Sequence, residues 1–568
     1  MEKRWATVAG YDTEKTQQLA AALQIAPTLA RILVQRGIYT FDQARDFFRP
    51  SLGQLYDPFL MKGMTAAIKR ISQALDNKES ILIYGDYDVD GTTAVSLMYS
   101  FFKQFTSNIS YYIPDRHKEG YGISTQGIDY AAAKGIHLII ALDCGIRAVD
   151  KVAYAKQLGI DFIIGDHHLP GSELPDALAL LDPKQADCPY PFKELSGCGI
   201  GFKIAQAYCQ QHDLPASSYM AYIDLVMVSI AADIVPLIDE NRVLAHFGLR
   251  KLNENPGAGL RALMQIAGKT HTYTLSDVVF TLAPRINAAG RMDHGHQAVK
   301  MLLCEEDTAL EQSILINEQN SDRKTFDQHI TQEALALIEE SETLVKRKTT
   351  VVYQPHWNKG VIGIVASRLT ESYYRPTIVL TESNGLYTGS ARSVAGYDLY
   401  AALLDCSELL EQFGGHKYAA GLTIQPANLS AFSERFEQVV ASSIPPALLT
   451  PEISIDAEVD FDSINPKFYR ILAQMAPFGP ENNNPVFTTN EVYLAAPPQV
   501  VGTNHLKLRV KQQNSFIFEA IAFGQAQWAE KLQATMPFSI CYTIEENIWK
   551  DKKSLQLNIK DIKTEYPA

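Results

Sequence analysis

Between about residues 78 and 184, short apolar runs alternate with stretches long enough for a helix: Ile81-Leu82-Ile83-Tyr84, Leu138-Ile139-Ile140-Ala141-Leu142, Phe162-Ile163-Ile164 and Ala179-Leu180-Leu181. Runs apolar at every position are buried on both faces, so the pattern predicts βαβ units and a parallel sheet. In such a sheet ligands bind beyond the carboxyl ends of the strands.

From about Glu305 to Lys348 there is no Pro or Gly, and Leu310, Ile314, Leu335, Leu337 and Ile338 recur near helical spacing, which predicts a connecting helix or helix pair. A second α/β pattern follows, with apolar runs at 350–353 and 376–380 and helices around 362–370 and from about Tyr397. Ser443-Ile444-Pro445-Pro446 reads as a linker. Beyond Glu452 the pattern is all-β with one short helix near Pro466 to Met475. In Leu506-Lys507-Leu508-Arg509-Val510-Lys511 a strand would bury one face and present three cations on the other, and Leu555 to Lys560 repeats the alternation. Several short strands suggest a small closed barrel, with the OB-fold the leading candidate. The expected fold class is therefore α/β, with two α/β domains joined by a long helix and a C-terminal all-β domain. The expected boundaries are a helical segment at 1–60, a catalytic domain at 61–303, the connecting helix at 304–348, a second α/β domain at 349–447 and the barrel at 448–568.

With 568 residues, 46% of them hydrophobic and 20% charged, the chain is long enough for several real cores, and a largely disordered chain is excluded. Seven Cys with no CxxC pair argue against a disulfide framework or a structural zinc site. No uncharged apolar run approaches the ~18 residues of a membrane span, and the first residues lack a signal-peptide core, so a cytoplasmic protein without membrane contact is expected. The net charge of -13 gives no global reason for nucleic-acid binding, which would need local basic surface.

The chemistry gathers at the strand ends. The first run leads into Asp86-Tyr87-Asp88-Val89-Asp90-Gly91, and if this stretch is extended its three acids point to one side. So many like charges repel unless a divalent cation neutralises them. The second run ends at Asp143-Cys144-Gly145 and the third at Asp166-His167-His168. An apolar helix, Leu225 to Ala232, should stop at about Asp233 because Pro236 disfavours helix before it. That presents Asp233 at a rim, whereas Asp224 is about half a turn out of phase. Oxygen-rich ligands with one or two imidazoles suit Mn²⁺ or Mg²⁺, and a pair of ions ~3.5–4 Å apart would use all these carboxylates and prepare an in-line attack on phosphorus.

Taken in order, these four segments resemble the motifs of the DHH phosphoesterase superfamily, and within it the RecJ-type exonucleases. Pro114-Asp115-Arg116, Glu119-Gly120-Tyr121-Gly122 and the segment Pro284 to Arg291 are similar to RecJ segments, and the likeness runs from about residue 50 to the end. The resemblance implies that Asp88 holds one metal and Asp90 the other, that Asp143 bridges them, and that His167 and Asp233 complete the second metal's shell. Asp86 would lie near the first metal and His168 toward the scissile phosphate. Other members begin the first motif with a histidine, where Tyr84 stands here.

Gly389-Ser390-Ala391-Arg392-Ser393 and Phe413-Gly414-Gly415-His416 resemble the DHHA1 substrate-binding domain. A helix opening after Gly415 would aim N–H groups at an anion, and Arg392 can grip a phosphate with two parallel bonds. Arg285, Arg291, Arg368, Ser390 and His416 are further candidates for the strand's phosphates, with His356 and Asn358 lining the cleft. On the barrel, Lys507, Arg509 and Lys511 would track a DNA backbone, while Phe516, Phe518 or Trp549 would stack on bases. The resemblance implies a metal-dependent 5′→3′ exonuclease that degrades single-stranded DNA to 5′-mononucleotides in repair and recombination. It also implies partnership with single-stranded-DNA-binding protein and a repair helicase, and a monomer is expected. Other enzymes of the superfamily need only the two-domain core, and a non-catalytic scaffold would lack metal ligands that are all present here.

Overall fold

The apolar runs form a sheet of five parallel strands, in spatial order Ile109–Tyr112, Ser80–Gly85, Ile136–Leu142, Asp161–Gly165 and Ala179–Leu181. Neighbouring residues along a strand face opposite sides of a sheet. Ile81, Ile83, Leu138 and Ile140 accordingly join one buried core, while Leu82, Tyr84, Ile139 and Ala141 join another. Both faces are covered, which is why the runs are apolar throughout. The computed structural model describes residues 2–116, 118–292, 294–513, 515–549 and 552–564.

The chain divides into two compact units. The larger, residues 53–450, holds the parallel sheet, the long helix and the second α/β domain. The long helix runs Glu306–Glu339, and a short one follows at Glu342–Lys346. Over its first half the inward face differs from the one the apolar residues suggested, whereas Leu335, Leu337 and Ile338 pack inward as expected. Leu310 and Ile314 are exposed, and the buried stripe runs Ala309, Ser313, Ile316, Asn320, Arg323, Asp327, Ile330, Ala334 and Ile338. The stripe keeps helical spacing but carries polar groups in its middle, because Arg323 donates to Asn320 (3.1 Å) and Asp327 accepts from Arg368 (2.7 Å).

The second α/β domain is a five-stranded mixed sheet in the order Gln412–His416, Ala419–Ile424, Leu386–Arg392, Thr377–Ser383 and Thr350–Tyr353, parallel only between the last two. The helix expected after Gly415 is absent. Residues 412–416 are an edge strand paired antiparallel with 419–424, and Gly415 allows the hairpin to close because a Cβ there would run into the backbone of Ala419 and Ala420.

The smaller unit joins residues 1–52 with 451–568. Arg4–Thr7, in a segment expected to be helical, is a strand paired in parallel with Glu452–Ile455, and helices follow at Thr13–Leu23, Pro27–Gln35 and Phe41–Phe48. The strands Phe487–Leu494, Phe538–Trp549, Lys552–Lys563, Phe518–Ala522 and His505–Gln512 pair successively, and the last pairs back to the first, which closes a barrel. All seven cysteines are free, and no helix among the described residues is long and apolar enough to cross a membrane.

Candidate metal centre and phosphate cradle

The first acid cluster is organised by a turn rather than by strand alternation. The strand stops at Gly85, and Asp88 caps the helix Val89–Phe102 by accepting from the Gly91 N–H (3.0 Å). The expectation of an extended stretch through Asp90 therefore fails: a carboxylate placed three residues before an N–H starts a helix. Gly91 packs on the backbone of Asp86, where a Cβ would fall 2.6 Å from its nitrogen. Asp90 lies in the first helical turn. It accepts from the N–H groups of Gly197 and Cys198 and from the Ser229 hydroxyl, each at 2.7 Å.

Asp143 follows the next strand in the left-handed region (φ 59°). After Gly165, Asp166 accepts from the N–H groups of Ile146 (2.9 Å), His167 (2.8 Å) and His168 (3.1 Å), and its Oδ1 lies 2.8 Å from His168 Nδ1. Burial works against its charge, but the His168 ring and these N–H groups prevail and hold Asp166 at about 2. Burial opposes the charge on His168 too, yet Asp166 keeps its pKa above the ordinary imidazole value. The Tyr121 hydroxyl meets the other His168 nitrogen at 3.1 Å.

The four segments converge on His167. Its Nε2 lies 3.1 Å from Asp143 Oδ1, 3.6 Å from Asp233 Oδ2 and 3.7 Å from Asp90 Oδ2. Asp233 caps the helix Ile223–Ala232, whereas Asp224 is spent on Lys251 and the Gly257 N–H. Asp143, His167 and His168 form one group able to hold a metal ion, and Asp90, His167 and Asp233 form another. Desolvation first, and then the neighbouring carboxylates, raises Asp86, Asp88 and Asp143 above the ordinary carboxylate value and pushes Asp233, which is exposed at the rim, up to about 8. Burial lowers the pKa of His167. Both ring nitrogens of His167, Asp143 Oδ1 and Asp86 Oδ2 are buried without a hydrogen-bond partner. Unpartnered buried donors amid crowded acids fit a hard divalent cation with oxygen and imidazole ligands. Tyr84 is not among these groups: its hydroxyl donates to Gly122 O (3.0 Å) and accepts from the Ser124 N–H (3.1 Å).

Sequence reasoning missed three contributors. Gly197 and Cys198, which open the helix Gly197–Gln211 behind its cap Ser196, and Ser229 fix Asp90, and only tertiary contact reveals them. Asp182 follows the strand Ala179–Leu181. It is buried, and burial together with Asp166 pushes it up to about 7. The rule that an acid ends each strand, carried to the fourth run, would have found it.

A second cluster is cationic. Arg291, half-buried, donates to Gly360 O (3.2 Å), and desolvation followed by the charges of Arg116 and Arg392 pushes it down to about 10. Burial and Arg116 also lower Arg392, which donates to Ser390 Oγ (3.0 Å). A Cβ on Gly363, at the start of the helix Ile362–Tyr373, would lie 3.0 Å from Ser390 Oγ and 3.1 Å from an Arg392 nitrogen, so Ser390 and Arg392 face that helix start. Clustered guanidinium groups that lower one another suit an anion. Arg116, which the sequence marked only as part of the Pro114-Asp115-Arg116 segment, and Arg323, which it did not single out, belong here. Arg285 is engaged by Asn317 (3.0 Å) and Thr281 O (2.6 Å), and Arg368 by Asp327. His356 lies 3.1 Å from Glu333, and Asn358 accepts from the Gly360 N–H. His416 is exposed on the edge strand, where partial desolvation and then the charges of Arg147 and His168 lower its pKa.

In the smaller unit, Lys507 and Arg509 are exposed and Lys511 is half-buried, but the stripe is not free. Glu519 lies 3.1 Å from Arg509 and 3.4 Å from Lys507. Phe516 is 78% exposed, whereas Phe518 is core at 7%, and the Trp549 side chain lies outside the described residues.

Carboxylates and imidazoles at the ends of parallel strands, with an arginine-lined second α/β domain, define a phosphoesterase of the DHH class. Profiles of the DHH family N-terminal domain and the DHHA1 domain match residues 80–230 and 346–442, and one of the RecJ OB domain matches 455–561. The chain is 36% identical over 555 residues to the single-stranded-DNA-specific exonuclease RecJ of Bacillus subtilis, covering 97% of this chain and 70% of that protein. Against RecJ of Salmonella typhimurium the figures are 33% over 577 residues, 97% and 98%. The crystal structure of Thermus thermophilus RecJ in complex with Mn²⁺ matches with a TM-score of 0.85 at 26% identity, over 99% of this chain and 80% of that one. A structure of exonuclease RecJ bound to manganese matches at 0.61 with 30% identity, over 70% and 98%. The chain belongs to the RecJ family of single-stranded-DNA-specific exonucleases.

Proposed function

We propose that this protein is a Mn²⁺- or Mg²⁺-dependent exonuclease that hydrolyses single-stranded DNA from the 5′ end to 5′-mononucleotides. The observation that carries the reading is the set of buried, unpartnered ligand atoms on Asp143 and His167 among carboxylates that cannot all ionise without a cation. Asp88 would hold one ion and Asp90 the other, with Asp143 shared, His167 and Asp233 on the second and Asp86 beside the first. When bound, the ions supply charge neutralisation at the scissile phosphate and activation of water for in-line attack. His168, whose pKa Asp166 raises and whose ring Asp166 and Tyr121 orient, would face the scissile phosphate with its Nε2 edge beside the Tyr121 hydroxyl. Arg291 and Arg392, with Ser390 and the helix start at 360–363, hold a phosphate of the strand. Lys507, Arg509 and Lys511 contribute a basic strip for the DNA backbone, and exposed Phe516 a ring for stacking.

The 5′→3′ polarity, the role in repair and recombination, the partnership with single-stranded-DNA-binding protein and a helicase, the monomeric state and the cytoplasmic location rest on family membership. The domain limits proposed above, 61–303 and 349–447 for the two α/β domains, accompany them. Digestion of single strands labelled at the 5′ or the 3′ end, with Mn²⁺, Mg²⁺ or chelator, tests the reading. Labelled mononucleotide should appear at once from the 5′-labelled strand and only with metal. Immediate release from the 3′ label would overturn the polarity, and undiminished digestion in chelator the mechanism.

A further inference from the structure

Arg147 lies in the loop between Asp143 and the helix Val149–Gln157, and two tethers fix it. The N–H of its neighbour Ile146 donates to Asp166 Oδ2 (2.9 Å), the same carboxylate that orients His168. Its own Nε donates to Leu169 O (2.7 Å), on the residue that follows His168. The Arg147 stem also packs beneath the loop at Gly171, where a Cβ would lie 3.8 Å from its Cγ. An exposed arginine ordinarily sweeps many rotamers, whereas this one has its guanidinium plane set by a backbone carbonyl. Its two terminal nitrogens carry no partner among the described residues, and the residue is exposed. The charge is not spent within the fold. It is felt by His416 on the edge strand of the second α/β domain, together with that of His168. A positive, planar, pre-oriented pair of donors thus stands at the rim of the metal centre, tied to the loop that carries His167 and His168.

We propose that Arg147 binds a backbone phosphate of the single-stranded substrate adjoining the scissile one, with its free terminal nitrogens forming a two-point grip. The inference deepens the nuclease reading and rests on it. The fork suits a phosphate diester, whose two unesterified oxygens accept parallel N–H bonds. A phosphate contact has no base preference, as an enzyme that degrades any sequence requires.

The test uses the full chain with Mn²⁺ and compares wild type, Arg147→Gln and Arg147→Lys on a 5′-labelled oligonucleotide over a range of KCl. Each phosphate contact made by a cation on a single strand contributes about 0.7 to the slope of log affinity against log salt. Arg147→Gln should therefore raise KM about tenfold at low salt and flatten the slope by about 0.7, with kcat unchanged. Arg147→Lys keeps the charge but loses the Nε tether, so it should retain the wild-type slope with an intermediate KM. An Arg147→Gln enzyme with the wild-type slope and KM would overturn the proposal. So would one in which kcat falls while KM holds, as a mere staple of the His168 loop would give. Wild type that leaves single-stranded DNA intact would instead overturn the parent reading.

Discussion

Gly197 packs against Asp143 so closely that a Cβ on it would fall 2.6 Å from the Asp143 Cβ and 2.9 Å from its Oδ1. The same residue's N–H donates to Asp90 at 2.7 Å. One backbone position thus touches two of the proposed metal ligands, and no side chain fits between them. Gly197→Ala should lower activity about 10- to 100-fold, as loss of a group that orients metal ligands does, and destabilise by about 1–3 kcal/mol through overpacking. Nuclease rates at saturating Mn²⁺ and urea unfolding check both. Wild-type rates would show that the Asp90–Asp143 spacing does not depend on this contact.

Legibility in the sequence followed how local each cause is. Ile81 to Tyr84 or Leu138 to Leu142 announce buried strands because burial on both faces is written into consecutive residues, and the acids that follow them are therefore placed by the sheet. The turn from Gly85 to Asp88 was less legible. Asp86, Asp88 and Asp90 are spaced for a strand, but the Asp88 cap and the Gly91 close approach decide for a helix. Gly415 failed similarly, since a glycine pair serves a hairpin as well as a helix start. The support from Ser196, Gly197 and Ser229 has no local signal. The pairing of Arg4–Thr7 with Glu452–Ile455 joins segments far apart in the chain, and nothing in either segment names the other.

The crowded acids give the metal-free protein a definite pH dependence. Desolvation in the crowded acid cluster and then Asp90 and Asp88 push Asp233 up to about 8, against about 4 in an unfolded chain. A carboxyl with a raised folded pKa contributes stability that is fully present below the unfolded value and lost as pH rises through the folded one. Metal-free Tm should therefore fall between about pH 4 and pH 8. Metal binding must displace these protons, so the Mn²⁺-induced rise in Tm should be larger at pH 8 than at pH 5.5. Asp143→Asn should abolish most of that rise and cut activity more than about 100-fold without lowering the metal-free Tm. Thermal scans with and without Mn²⁺ read the stability effects and a nuclease assay the activity, and a metal-free Tm that climbs toward pH 8 would contradict the assignment of the cluster.

Ile234, next to Asp233, adopts φ 58° and is 65% exposed. A β-branched residue in the left-handed region is strained, and this one buries little in return. Ile234→Asn, which tolerates that conformation, should raise stability by about 1 kcal/mol, seen as a higher urea midpoint at unchanged m-value. A lower midpoint would mean that the Ile234 side chain supports the fold through contacts its exposure does not suggest.

The barrel's basic strip is partly neutralised from within. Arg509 stands directly opposite Glu519 in the antiparallel register, and the carboxylate lies 3.1 Å from Arg509 and 3.4 Å from Lys507. All three side chains are exposed, so these pairs contribute at most about 1 kcal/mol to the fold, and their loss should hardly move Tm. For a DNA phosphate approaching the strip, however, Glu519 is both a competitor for the cations and a like charge. Glu519→Gln should tighten single-stranded-DNA binding about threefold at low salt, by releasing Lys507 and Arg509. It should also steepen the salt dependence by about 0.7 for each cation that gains a phosphate. The gain should fade at high ionic strength, where exposed charges are screened. Fluorescence anisotropy of a labelled oligonucleotide, measured in chelator so that the strand stays intact, gives the affinity at each salt concentration. Affinity and slope unchanged from wild type would remove Lys507 and Arg509 from the DNA path, whereas weaker binding would mean that Glu519 holds them in the orientation the strand requires.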